Sequence, residues 1–255
     1  MIIKTEAVAL RVSPFSRTSH VVSWFTAGYG RITTIIKGAQ RPRSAFLGQY
    51  DLFYTCELLF YSRERNGAHI ARECCPINTR KSFRRNWKAC AAASYVCDLV
   101  SQSTAHNEHH IELYDLISTS LDSLCEHVEP AQIVTWFELK FAGLMGFAPR
   151  LTSCSACGKA IAGRTASRFS SVRGGMLCGG CASFSQDGLL PLSPDVIAIL
   201  RNWQKSGTIN IACTIRCTGN QLSTLLDITG NFLNYHMDIG MIRASRKVML
   251  DVLSK

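Results

Sequence analysis

Residues 154–181 open with CSACGK and close with GGMLCGGC, so Cys154-x2-Cys157 and Cys178-x2-Cys181 stand with 20 residues between them. Paired thiolates at this spacing fit a four-cysteine zinc site. Each Cys-x-x-Cys turn directs two sulfurs to one face, and two such turns close a tetrahedron around one Zn2+. Four thiolates leave no open coordination position, so the chemistry expected is a structural staple rather than metal-assisted catalysis. An empty site and redox disulfides are the alternatives. Gly158, Gly174, Gly175, Gly179 and Gly180 are expected to turn the chain tightly beside the ligands, and Lys159, Arg164, Arg168 and Arg173 to moderate the thiolate charge.

Weaker constellations have plainer readings. His110-Ile111-Glu112 followed by Cys-x-x-Cys superficially resembles a zinc deaminase, but residue 153 is Ser where that scheme has Pro, and a second cysteine pair has no place in it. The run His106-Asn107-Glu108-His109-His110 lacks the H-E-x-x-H order of metalloproteases and reads as a polar helix start. Cys74-Cys75 and Cys213-x3-Cys217 have no partner pairs and read as buried thiols. Gly28-x-Gly30 lies between two strands and reads as a hairpin turn, and neither a P-loop nor a G-x-S-x-G elbow is present. These catalytic signals are weak: a hydrolase or deaminase stays open as an alternative, and no enzyme activity is expected.

Those residues must be carried by ordinary globular elements. The chain has 255 residues, 47% of them hydrophobic and 18% charged, enough for one large domain or two small ones. No apolar run approaches a membrane span. The N-terminus MIIKTEAVALRVSPFSR carries Lys4, Glu6, Arg11 and Arg17 where a signal peptide needs an unbroken apolar stretch. A cytoplasmic location is expected, and in that compartment twelve cysteines favour a metal site plus free thiols over disulfides.

In the first third the periodicity is that of strands. Ile32, Thr34 and Ile36 alternate with Arg31, Thr33 and Lys37, and over 51–61 Leu52, Tyr54, Cys56, Leu58 and Phe60 alternate with Asp51, Thr55 and Glu57. With 2–12, His20–Thr26 and His69–Cys74 this makes about five strands, separated at Ser13-Pro14, Gly28–Gly30, Arg41-Pro42 and Asn66-Gly67. Five short strands with a basic face suit a small barrel of the oligonucleotide-binding (OB) type. After Pro76 the period becomes helical, over 83–101 (with Trp87, Ala91, Tyr95 and Cys97 among its apolar positions), 108–128, Pro130 to near Gly146, from Ser193-Pro194, over 220–236 and over 243–253. The fold class expected is α+β: an OB-like nucleic-acid-binding barrel over 1–78, then a helical domain over 79–255 interrupted by a zinc hairpin at about 150–186.

Charge is split along the chain. Residues 1–90 hold 15 Lys+Arg against 5 Asp+Glu, whereas residues 91–255 hold 13 of each, so the whole net charge of +10 sits in the barrel third. A polyanion-binding module joined to a neutral one is the natural reading. The cations cluster as Lys37, Arg41 and Arg43, as Arg63 and Arg65, and as Arg80, Lys81, Arg84, Arg85 and Lys88. Cationic loops along a groove track phosphates, and Tyr29, Tyr50, Phe53 or Tyr61 could stack bases, with core packing expected for at least half of them. A DNA-binding protein and a zinc-containing OB-fold RNA-binding factor both fit this pattern.

Three stretches carry a family resemblance. GYGRITTIIKGAQRPRS, FELKFAGLMGFAPRLTSCSACG and IRASRKVM resemble, in turn, the strand-to-basic-loop segment, the helix, bend and first cysteine pair, and the C-terminal helix of the bacterial recombination mediator family RecO. The resemblance spans essentially the whole chain. It implies a non-enzymatic protein of RecF-pathway DNA repair that binds single- and double-stranded DNA, anneals complementary strands and assists RecA loading. It implies RecR, RecF and the tail of single-strand DNA-binding protein as partners. By residue it implies Cys154, Cys157, Cys178 and Cys181 as zinc ligands and the Lys37/Arg41/Arg43 stretch as DNA-contacting.

Overall fold

The computed structural model describes residues 1–63, 67–126, 129–162, 167–185, 188–237 and 242–255. The expected turn at Asn66-Gly67 lies partly outside them, as do Arg65 and Arg164. Five strands, β1 (Ile2–Ser16), β2 (Ser19–Thr26), β3 (Gly30–Ile36), β4 (Thr55–Tyr61) and β5 (His69–Asn78), close into one barrel in the order β1-β2-β3-β5-β4. Closure depends on β1, which pairs antiparallel with both β2 and β4, and register shifts between Ala9 and Arg11 and between Pro14 and Ser16 bend it between them. The ring is completed by a short parallel pairing of β3 with β5, Thr34 opposite His69 and Ile35 opposite Ile70.

Period-2 patterning decides what fills the barrel. Ile32, Thr34 and Ile36 point inward with Trp24, Cys56, Leu58 and Phe60, and the Trp24 indole N–H donates to Thr34 Oγ1 at 2.9 Å, so its one polar atom is satisfied in the core. The alternation read over 51–61 overestimates β4 by four residues. Phe53 adopts φ 69, a left-handed conformation that interrupts the extended chain, and β4 begins at Thr55. The β2–β3 turn requires glycine at Gly30: its φ is 60, and a Cβ there would lie 1.8 Å from the Glu108 carbonyl oxygen.

Helix α1 (Trp87–Ser103) starts later than the apolar period suggests, because Lys81–Arg84 forms a 3-10 turn and Asn86 caps the helix by accepting from the Ala89 N–H. Helix α2 (Ile111–Glu126) also starts late. His106 bridges to Arg31 of β3, Asn107 takes φ 62, and residues 108–110 are loop rather than helix. Helix α3 (Pro130–Leu144) and helix α5 (Pro194–Lys205) both begin on proline in the first turn. Between them lie β6 (Ser167–Ser170), β7 (Gly175–Leu177), the short helix α4 (Gly179–Ser183) and β8 (Leu190–Leu192). Then follow α6 (Ile209–Thr214), which the sequence pattern misses, α7 (Gly219–His236), and α8 (Ile242–Leu253). A full capping box at Thr218 and Gln221 fixes the start of α7. Among the described residues no helix is long and apolar enough to cross a membrane.

By packing, the chain forms two compact units, Met1–Glu126 with Ala244–Lys255, and His127–Arg243. In the first, α1 and α2 pack together and α1 packs on β1. In the second, α3 packs on α7, α6 and α5; buried Glu138 of α3 accepts a hydrogen bond from the Thr229 hydroxyl, and Gln132 donates to the carbonyls of Ala212 and Ile215. Those last contacts close the open carbonyls of α6 at its C-terminal end.

Candidate metal centre and basic surface

The four paired cysteines converge. The Sγ atoms of Cys154, Cys157, Cys178 and Cys181 lie within 4.8 Å of one another, the one such metal-holding group among the described residues. Cys154 and Cys157 sit on a short knuckle. The Cys154 N–H donates to Lys159 O at 2.8 Å, Gly158 N–H donates to Cys154 O at 2.9 Å, and Ser153 bridges to Ala160. The second pair follows the β6–β7 hairpin, with Cys178 capping α4 and Cys181 inside it. The knuckle is joined to the hairpin by Ser155 N–H on Met176 O at 2.8 Å and Cys178 N–H on Cys154 Sγ at 3.4 Å. Gly175 is obligatory at this junction, because a Cβ would meet Arg150 O at 2.3 Å. The expected turn role of Gly179 and Gly180 is corrected: both lie in the first turn of α4, in open surroundings.

The donor set fits a metal ion. Tetrahedral Zn–S bonds of about 2.3 Å set sulfur–sulfur edges of about 3.8 Å, and Cys157 Sγ stands 3.8 Å from Cys178 Sγ. A disulfide would need about 2.05 Å, and none of the twelve cysteines is disulfide-bonded. Without an ion the sulfurs compete for protons. Burial pushes the Cys154 thiol up, but the amide groups of Cys157, Cys178 and Ala156 more than offset this and bring it below its ordinary value. Hydrogen bonding to Cys178, Cys157 and Cys154 pushes the Cys181 thiol up instead. A dication would remove that conflict by letting all four ionise.

Helices α5 and α7 hold the centre in place. The Arg201 guanidinium donates to the carbonyls of Leu151 at 2.8 Å, Ala162 at 3.2 Å and Ile161 at 2.5 Å, and Gln204 donates to Pro149 O at 2.7 Å. Phe169 of β6 packs against Phe232 of α7 with ring centroids 6.0 Å apart. Arg201 had no signature in the sequence, since its partners are backbone oxygens. Lys159, Arg168 and Arg173 are exposed.

The cations of the first unit divide into three kinds. Lys37, Arg41 and Arg43 are exposed on the β3–β4 connection, whose inner side is anchored by Ala39, Phe46 and Tyr50 against the barrel core. Arg63, Lys81, Arg84 and Arg85 are exposed and Lys88 half-buried; Arg84 reaches Asp51 at 3.4 Å, an open pair of small energetic weight. Arg80 is a correction. It is only 5% exposed and donates to Asp122 at 2.7 Å, Phe53 O at 2.6 Å, Thr55 Oγ1 at 2.9 Å, and the carbonyl and hydroxyl of Ser118. Its donors are spent inside the fold, so it is withdrawn from the surface expected to meet phosphate. Replacing Arg80 by Ala strands the buried acceptors of Phe53 and Thr55 and should cost about 2–4 kcal/mol, read as a lower urea midpoint; an unchanged midpoint would show that water takes over these bonds.

The aromatic residues divide as well. Phe53 is buried against Phe83 at 5.1 Å, and Tyr50 bonds His20 Nδ1 at 2.7 Å over the barrel core, whereas Tyr29 and Tyr61 remain open. Cys74 is buried beside Cys56, whose hydrogen bond, reinforced by burial, pushes its thiol far up and keeps it unreactive. Cys75, the next residue on β5, is exposed and does not fit the buried reading, while Cys213 and Cys217 are partly buried. Trp87, read as an apolar helix position, is 53% exposed.

The fold and its centre define a class: a closed five-strand OB-like barrel continued by helices, with a four-cysteine hairpin set among them. Family models described as Recombination protein O N terminal and Recombination protein O C terminal match residues 1–80 and 84–245. Among similar proteins, the "DNA repair protein RecO" of Alkaliphilus metalliredigens (strain QYMF) is 32% identical over 183 residues, covering 71% of this chain and 72% of that protein. The proteins of the same name from Syntrophus aciditrophicus (strain SB) and Anaeromyxobacter dehalogenans (strain 2CP-C) are 27% and 29% identical over 196 and 207 residues, covering 77% and 80% of this chain and 73% and 80% of theirs. The chain belongs to the RecO family of DNA repair and recombination proteins.

Proposed function

We propose that this chain is a non-enzymatic recombination mediator. It binds single- and double-stranded DNA through the barrel unit, anneals complementary strands and assists RecA loading, working with RecR, with RecF and with the tail of single-strand DNA-binding protein. The carrying observation is the β3–β4 connection, which presents Lys37, Arg41 and Arg43 to solvent while Phe46 and Tyr50 pin it to a closed core. A cationic loop held from below can meet phosphates with little loss of chain entropy. The neutral composition of residues 91–255 supports a protein-binding role there. The four cysteines hold one structural Zn2+, which supplies cross-linking and leaves no position for substrate.

The test is the salt dependence of DNA binding. Affinity should fall steeply with salt, because neutralised phosphates release counterions. Replacing Arg41 and Arg43 together by Ala should flatten the log–log slope by about one to two units. An unchanged slope moves the phosphate contacts to Lys81, Arg84, Arg85 and Lys88. RNA bound in clear preference to DNA would favour the RNA-binding alternative instead.

A further inference from the structure

We infer that Trp87 is a base-stacking platform for single-stranded DNA, forming with Lys81, Arg84, Arg85 and Lys88 a contact site outside the barrel. The inference rests on the DNA-binding reading above and names a site within it. The chain has four tryptophans. Trp24 and Trp203 are fully buried and Trp136 is 3% exposed, each absorbed by a core, whereas Trp87 is 53% exposed at the first position of α1. A large aromatic left 53% exposed gains less from folding than a fully buried one.

Its surroundings select the ligand. Lys81, Arg84 and Arg85 are exposed on the turn just before it, and Lys88 Nζ stands 5.9 Å from the centroid of its ring. The first turn of α1 holds no acidic residue, so nothing there offsets the positive end of the helix. Arg84 also touches Asp51 and Tyr54, at the far end of the connection that carries Lys37, Arg41 and Arg43. An exposed indole among cations suits an unstacked base whose phosphates lie on either side. A duplex offers no free base face, so the partner is single-stranded. Arg84 already reaches Asp51 and Lys88 Nζ donates to Leu253 O at 3.3 Å, but an apolar peptide covering the indole would offer no anion to the exposed Lys81 and Arg85 beside it.

Burial of the other three tryptophans makes the test direct, because an aqueous quencher or a stacked base reaches Trp87 almost alone. Titration of the full chain with oligo-dT should quench the solvent-exposed part of the fluorescence, and a blunt duplex should not. Trp87→Phe should lose the quenching but keep its affinity; Trp87→Ala should bind oligo-dT about 5- to 150-fold more weakly, the value of one stacked base. Wild type that binds oligo-dT without quenching, with Trp87→Ala binding equally well, overturns the inference and leaves the DNA-binding reading intact. Equal quenching by duplex also overturns it. No binding of oligo-dT even at low salt overturns both.

Discussion

Cys154→Ser and Cys178→Ser proteins are expected to lose the order of the 151–192 segment while the barrel stays folded. The strands of the hairpin are too short to hold it alone: β6 has four residues and β7 and β8 have three each. Among the described residues its buried apolar side chains are few, with Leu151, Phe169, Met176, Leu177 and Leu192 the main ones. Apparent zinc-binding free energies of about 10–16 kcal/mol in zinc-finger peptides match the stability of a whole domain. Removing one ligand therefore removes most of what fixes the knuckle to β7. Freshly purified wild type should carry about one zinc per chain. Hydrogen exchange should show fast amides at Cys154, Ser155 and Met176 in each variant, with the β1–β5 amides unchanged, because the cysteines lie in the other compact unit. Wild type free of zinc, with variants as protected as wild type, would show that Arg201 and Phe169 hold the hairpin without metal.

The barrel and the four-cysteine cluster were legible in the sequence for one reason: both rest on strict local spacing. The alternation of β3 and the two Cys-x-x-Cys pairs survive folding unchanged because each depends on neighbours a few residues away. What was not legible depends on distant partners. Arg80 looks like one cation among five in RKSFRRNWK, yet its ligands come from positions 53, 55, 118 and 122. Nothing within its own stretch separates it from Arg84 or Arg85. Likewise the late start of α2 follows from the pairing of His106 with Arg31, some 75 positions earlier, and from the close contact of Gly30 with Glu108. Short elements such as α6 and β8 carry too few residues to show a period at all.

Trp87 shows the reverse error. Helical periodicity assigns a tryptophan to the buried stripe by default, because apolar residues at that spacing are usually core. The buried residues of α1 are Ala89, Ala92, Ala93, Tyr95, Val96, Cys97, Leu99 and Val100, and position 87 falls outside them at the helix start. Three alanines, Ala89, Ala92 and Ala93, share that buried set with Tyr95 and Leu99, and α1 packs on β1 and α2. Trp87 is left outside, beside the cations, while the other aromatic of α1, Tyr95, is fully buried.

Complementary single strands are expected to anneal faster in the presence of this protein, without ATP. No P-loop is present in the sequence, so the proposed activity draws on charge alone. Two single strands repel, and a surface bearing Lys37, Arg41, Arg43, Arg63, Lys81, Arg84 and Arg85 lowers that repulsion and raises the local strand concentration. Steering of this kind accelerates encounter by about 10- to 1000-fold and fades at about 1 M salt, where the screening length is about 3 Å. Pairing then supplies about 1.4 kcal/mol per stacked step, so the protein need only hold backbones without covering the pairing edges. Loop cations meet that requirement because they contact phosphate, and a ring that stacks on a base face leaves its Watson–Crick edge free. Fluorescent complementary oligonucleotides at moderate salt provide the measurement. Arg41/Arg43→Ala should slow annealing, Arg80→Gln should affect it only through stability, and added ATP should change nothing. A wild-type rate equal to that of protein-free DNA, or one that requires ATP, would remove the proposed mechanism and advance the RNA-binding alternative.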